Sequence, residues 1–162
     1  MNQKSSLKQI ESEFLALRDG LKTVHLATTA QDGQPEASYA PFLWSANAYY
    51  LYLSSLAKHS VNISHNPAIS LLFIESEENS SNLFARKRII LNGHANLIQR
   101  NSELFSKTLV EFKHRFGQFI ELIEPLEDFN LFQIKPNTGR FIRGFAQVYA
   151  LSGDGLGQIK RD

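Results

Sequence analysis

A chain of 162 residues with no cysteine and seventeen basic against sixteen acidic side chains can bury about 70% of its unfolded surface in one core. It needs no disulfide or structural metal, and it excludes thiolate catalysis, zinc–thiolate sites and iron–sulfur clusters. The near-neutral balance leaves no global field to draw the molecule to nucleic acid or an anionic membrane, so any anion recognition must be local.

The lead-in Met1 to Ser6 enters a charged amphipathic segment and not an apolar signal core, and no apolar run reaches the length of a membrane span. A cytoplasmic location is expected. Ser6 with Gln9 is a capping-box pattern, and Leu7, Ile10, Phe14, Leu17 and Leu21 recur at helical spacing, which predicts a helix from Leu7 to about Arg18, stopped by Asp19-Gly20. Residues 23–29 alternate and are β-branched, hence a strand, and Asp32-Gly33 reads as a hairpin turn. Residues 37–44 and 49–54 flank Ser45-Ala46-Asn47 as a second hairpin, with Pro41 marking an edge or bulge. A short helix follows and closes near Asn66, because the residue before Pro67 is pushed out of helical geometry, and 68–74 resumes as a buried strand.

The acidic, serine-rich run 75–82 reads as a solvent loop, and 84–98 as a long strand with a bulge or bend at Gly93. Asn101 or Ser102 caps a helix whose stripe is Leu104, Phe105, Thr108, Leu109, Phe112 and Phe116, ended by Gly117. Then come a strand over 129–134, a turn at Pro136-Asn137-Thr138-Gly139, and a hairpin over 140–151. One domain is expected over residues 1–151, with a glycine-rich, mobile tail over 152–162. Many short strands and few helices point to a mainly β protein, an antiparallel barrel with helices against its openings. Side chains fill so small a barrel, so a large ligand must sit outside it, in a groove between subunits.

Two segments carry candidate chemistry. Lys58, His59 and Ser60 follow a strand at the first turn of the short helix, where free N–H groups and the helix dipole favour an anion; capping alone accounts for such residues equally well. Arg86 and Arg88 flank Lys87, and on a strand both arginines share a face and could grip one carboxylate or phosphate, while a charged edge that blocks aggregation is the plainer alternative. The five histidines form no paired metal motif, so no metal site is expected, with His59 the exception most open to a ligand role. No nucleophile elbow occurs, and Gly153-x-Gly155-x-Gly157 lacks the context of a dinucleotide fingerprint. Catalytic residues are not assignable. Phe42, Trp44, Tyr49, Tyr50 and Tyr52 read as barrel core or as flanks for a planar ring.

Leu26-Ala27-Thr28-Thr29 with Asp32-Gly33 and Pro35, then Lys58-His59-Ser60-Val61-Asn62-Ile63 with Asn66-Pro67-Ala68-Ile69-Ser70-Leu71, resemble the pyridoxamine-5′-phosphate-oxidase-like FMN-binding split barrels. Ala85-Arg86-Lys87-Arg88-Ile89 and residues 139–147 are similar to its haem-utilisation branch, the HugZ/HutZ-type proteins. The resemblance implies a homodimer of six-stranded antiparallel split β-barrels with two ligand sites between the subunits. In flavin-binding members it implies that FMN phosphate lies near Lys58, His59 and Ser60, with Arg86 and Arg88. In haem-utilising members it implies that an arginine of the Ala-Arg-x-Arg stretch meets the propionates and that Asp128 orients a haem-ligating histidine supplied by a C-terminal tail. No histidine follows His114 in this sequence, which leaves the iron ligand unassigned. The expected function is haem binding at the dimer interface, with or without oxidative degradation that releases iron. An FMN-dependent oxidoreductase acting on a small molecule and a non-enzymatic haem carrier are the alternatives.

Overall fold

The computed structural model describes residues 6–160; the lead-in before Ser6 and the last two residues of the expected tail lie outside the described residues. Helix α1 (Leu7–Gly20) starts where Ser6 Oγ accepts the Gln9 N–H at 3.3 Å. It runs through Asp19-Gly20, because Gly20 keeps a helical backbone. The buried Arg18 guanidinium, 4.3 Å from the Trp44 ring centroid, and its ion pair to Asp19 hold that last turn down.

Strands β1 (Thr23–Thr29), β2 (Pro35–Ser45) and β3 (Ala48–Ser54) form two hairpins as the spacing predicts. Ala46 and Asn47 both take positive φ (47° and 59°), the two-residue turn whose twist suits adjoining strands. Pro41 marks neither an edge nor a bulge. It faces Thr23 at the end of the β1 ladder, and pairing to β3 begins at Phe42, so its missing N–H falls at a corner between two ladders.

After α2 (Lys58–His65), β4 (Ala68–Ile74) and β5 (Arg88–Ile98), the helices α3 (Glu103–Phe116) and α4 (Gln118–Ile123) precede β6 (Phe129–Gly144), β7 (Gln147–Ser152) and β8 (Gln158–Ile159). Pairing of β3 with β6 closes β1, β2, β3, β6, β5 and β4 into a six-stranded antiparallel barrel, and β7 and β8 extend the sheet from β6. This is the expected mainly β split barrel. Ser102 caps α3 by accepting the Phe105 N–H, and Gly117 at φ 74° ends it; α4, directly beyond, has no counterpart among the predicted elements.

Pro136 to Gly139 does not turn. The strand continues through it, with Asn92 opposite Thr138 and Gly93 opposite Pro136, so Asn137 is the extra residue of a bulge. A Cβ on Gly93 would collide with the Lys135 carbonyl and the Pro136 Cα, which explains why a proline fits inside this ladder.

Apolar side chains fill two regions. Inside the barrel and under α1 lie Phe14, Phe42, Tyr49, Leu71, Phe73 and Phe141, while Tyr50, Tyr52, Phe105, Leu109, Phe112 and Leu131 pack beneath α3 and α4. The clustered aromatics are therefore core. The glycine-rich end is packed as well: Ile159 is 2% exposed, β8 pairs with β7, and a Cβ on Gly155 would meet the Asn47 carbonyl. Its glycines permit close approach to Trp44 and Asn47, which the sequence mimics as looseness. Among the described residues no helix is long and apolar enough to cross a membrane.

Candidate functional site

Alternation along β1, β2 and β4 sends Val24, Leu26, Ala40, Leu71 and Phe73 inward and leaves His25, Ala27, Ala37, Tyr39, Ser70 and Leu72 on the outer face. The register sets His25 between Tyr39 and Leu72, and Ala27 between Ala37 and Ser70. A row of small side chains beside a row of large ones leaves a hollow of about 400 Å³ on the barrel's outer wall. Leu72 and Ile74 give it apolar sides, and Arg86 lines one end.

Arg86 reaches that position by a route the sequence does not suggest. The strand expected from residue 84 begins at Arg88, and Leu83–Ala85 form a 3₁₀ turn, so Arg86 and Arg88 do not alternate on one pleat. Nε and Nη2 of Arg86 both donate to the Glu75 carbonyl, Nε at 3.0 Å. Its nearest carboxylate is that of Glu77, 3.8 Å from Nη1 on a side chain 74% exposed, a weak pairing in water. A neutral carbonyl thus fixes the guanidinium without cancelling its charge. Arg88 donates to the Arg86 carbonyl at 3.0 Å and bridges the entry to β5.

Lys87 turns the other way. Its backbone N–H donates to Glu75 Oε1 at 2.7 Å, and its Nζ lies 3.2 Å from Glu13, which Arg143 also grips through two contacts of 2.8 Å. The Arg143 hydrogen bonds hold the Glu13 carboxyl below its ordinary value, with Lys87 adding to the effect. This clamp ties α1 to the turn that presents Arg86.

The start of α2 is differently furnished. Lys58 Nζ lies 2.8 Å from Glu36, and this pairing raises the lysine's pKa. His59 Nδ1 is hydrogen-bonded to Ser38 Oγ at 3.1 Å, and partial burial lowers the pKa of its imidazole. Ser60 is buried with its Oγ unpartnered, and Asn62 donates to Thr28 at 3.0 Å in the interior. Glu36 and Ser38 occupy the face of β2 opposite Ala37 and Tyr39. Lys58, His59 and Ser60 therefore sit behind the wall that carries the hollow. Ser38 is the one link, since it both borders the hollow and holds His59.

Asp128 borders neither place directly. Its Oδ2 accepts the Ser54 hydroxyl at 2.7 Å and its carbonyl accepts the Ser55 N–H at 2.6 Å, fastening the turn that leads into α2. Among the described residues no group of three or more metal-ligating side chains comes together. The residue that sequence reasoning passes over is His25. Its outward place is legible in the alternation of β1, but the openness of that face depends on Ala37 and Ser70, which only the strand order brings beside it.

A family model described as pyridoxamine 5′-phosphate oxidase matches residues 10–143. The chain belongs to that family. It is 38% identical over 148 residues to "Heme oxygenase HutZ" of Vibrio cholerae, covering 91% of this chain and 84% of that protein. The crystal structure of HutZ from Vibrio cholerae, described there as a haem storage protein, superposes with a TM-score of 0.77 at 35% identity, over 86% of this chain and 96% of that one. The structure of Campylobacter jejuni ChuZ gives a TM-score of 0.84 at 30% identity, over 96% of this chain, which spans 63% of ChuZ. Among its family the chain thus sits beside HutZ and ChuZ.

Proposed function

We propose that this chain is a haem-utilisation protein that holds haem over the outer hollow, in the cytoplasm, with a second copy of the chain supplying the facing wall. The observation that carries the reading is the contrast in charge: Arg86 keeps its charge beside apolar Leu72 and Ile74, whereas Lys58 is already paired with Glu36. Apolar walls with a few placed polar groups suit a flat, largely apolar ring bearing carboxylates. The residues fit haem in chemistry, while a hollow of about 400 Å³ open to one side fits it only in part, which is why a second copy belongs to the proposal. The printed names of HutZ, a haem oxygenase and a haem storage protein, support the same ligand.

In this reading Arg86 binds a propionate and sets the ring's orientation, with Arg88 keeping the turn that carries it in place. Leu72 and Ile74 exclude water, and Ser70 offers a hydroxyl on the outer face, while the Ser38 hydroxyl stays with His59. Asp128 acts at a distance by fixing the approach to α2. Bound haem would supply oxygen and electron-transfer chemistry that no side chain here provides.

The flavin alternative places phosphate at Lys58, His59 and Ser60, where it would have to displace the Glu36 carboxylate from Lys58. Haem titration of the purified protein tests the main reading: a shifted Soret band that saturates at one haem per site is expected, and an unshifted band alongside quenching of FMN fluorescence would replace haem by flavin. Incubating the haem complex with a reductant and O₂ separates degradation, seen as loss of the porphyrin bands with iron release, from carriage, seen as a stable spectrum.

A further inference from the structure

We propose that His25 is this chain's own ligand to the haem iron. The inference rests on the haem reading above and assigns the metal bond that the reading leaves open.

His25 stands on the outer face of β1, a strand paired on both sides, so its backbone is held by two ladders and its ring projects into the hollow. Neither ring nitrogen has a hydrogen-bond or ionic partner among the described residues. The surrounding floor is small, Ala27, Ala37 and Ser70, and leaves space above the ring, while Tyr39 and Leu72 flank it across the strands.

Of the side chains lining the hollow, only the His25 imidazole has a ring nitrogen able to donate a lone pair to a metal; guanidinium has none, and serine hydroxyls are poor iron ligands. The other histidines are committed or placed elsewhere. His59 is bonded to Ser38 behind the wall, His94 is bonded to Asn137 at the bulge, His65 ends α2, and His114 lies on α3.

The spacing to Arg86 matches the ligand. His25 pairs with Leu72, and β4 ends at Ile74, directly before Glu75, whose carbonyl holds Arg86. From Leu72 to Glu75 an extended chain advances about 10 Å, at ~3.3 Å per residue. That is comparable to the reach from the centre of a porphyrin to its carboxylates, so one ring can meet His25 at its metal and Arg86 at its edge. Among the described residues no carboxylate or carbonyl takes the second ring N–H, so none of them adds imidazolate character to the ligand.

Ferric haem is titrated into the full chain and into His25→Ala, His25→Gln and Arg86→Ala, following optical and electron paramagnetic resonance spectra, with circular dichroism to confirm folding. The wild type is expected to give an imidazole-ligated ferric signature. His25→Ala and His25→Gln should lose that signature and bind at least about tenfold more weakly, with free imidazole restoring the bands in the alanine variant. Arg86→Ala should weaken binding and keep the signature. If the wild type binds haem and folded His25→Ala gives the same spectrum, His25 is not the ligand, although the haem reading survives. If the wild type binds no haem, that reading itself fails and takes this inference with it.

Discussion

The start of α2 and the turn before β5 hold the two cationic groups that the sequence singles out, and they differ in what holds each cation. Lys58 meets a carboxylate from Glu36, whereas Arg86 is braced by a main-chain carbonyl and only loosely by Glu77. A charge satisfied within the protein has little left for a ligand, while a charge positioned by a neutral acceptor is rigid and still unmatched. Residue type alone does not make an anion site; the partner does.

The largest effect that tests this contrast is on haem affinity. Arg86→Ala should weaken haem binding ten- to a hundredfold, in line with the ~1.5–3 kcal/mol of a charge-assisted hydrogen bond, measured by fluorescence quenching of the protein. Lys58→Ala should leave it within about twofold by the same loose measure of an exposed pair. Equal losses in the two variants would erase the distinction.

Breaking the support of the turn should cost less. Glu13→Gln removes the anchor shared by Arg143 and Lys87, and we expect a fall of about 1 kcal/mol in stability, or about 2–4 °C in Tm. Because the folded-state pKa of Glu13 lies below its ordinary value of 4.5, the anchor contributes fully above that pH and is lost as pH falls through the folded value. Thermal melts from pH 3 to 7 should therefore converge for wild type and variant at the acid end, and a constant gap would show that the charge is not responsible.

Freeing the other cation should have a smaller effect. Glu36→Gln releases Lys58, and inorganic phosphate or FMN should then bind a few-fold more tightly, on the order of one exposed ion pair, as read by calorimetry. The smallest effect is at His59. Its folded-state pKa is lowered from 6.5, so its contribution is complete above that pH and stability declines as pH falls from there toward the folded value. His59→Gln should flatten that slope in melts between pH 5 and 7.

Much of the barrel is legible in the sequence where the signal is local. Ser102 and Gly117 mark both ends of α3, and the turns at Asp32-Gly33 and Ala46-Asn47 define the first two hairpins. What misleads is whatever depends on a partner strand. Pro136-Asn137-Thr138-Gly139 has the composition of a turn, yet a glycine more than forty positions earlier in the chain, Gly93, provides the space that makes it a bulge. The Gly153 to Gly157 run looks mobile until Trp44 and Asn47 are placed against it. The same holds for the candidate site. The Arg86 stretch is visible as a charge cluster, but the 3₁₀ turn that separates Arg86 from Arg88 is not, and His25 gains meaning only from its neighbours on β2 and β4.

Ile159 is packed in the same core as Phe14, and α1 lies against β8. During synthesis the first helix therefore emerges long before β8, so the part of its apolar face not taken by β4 and β5 waits for nearly the whole chain. Closure of this core is a late event, and contacts so distant in sequence make for slow folding. Nascent chains halted before residue 159 should be recognised by chaperones that bind exposed apolar helices, and released once β8 has been made.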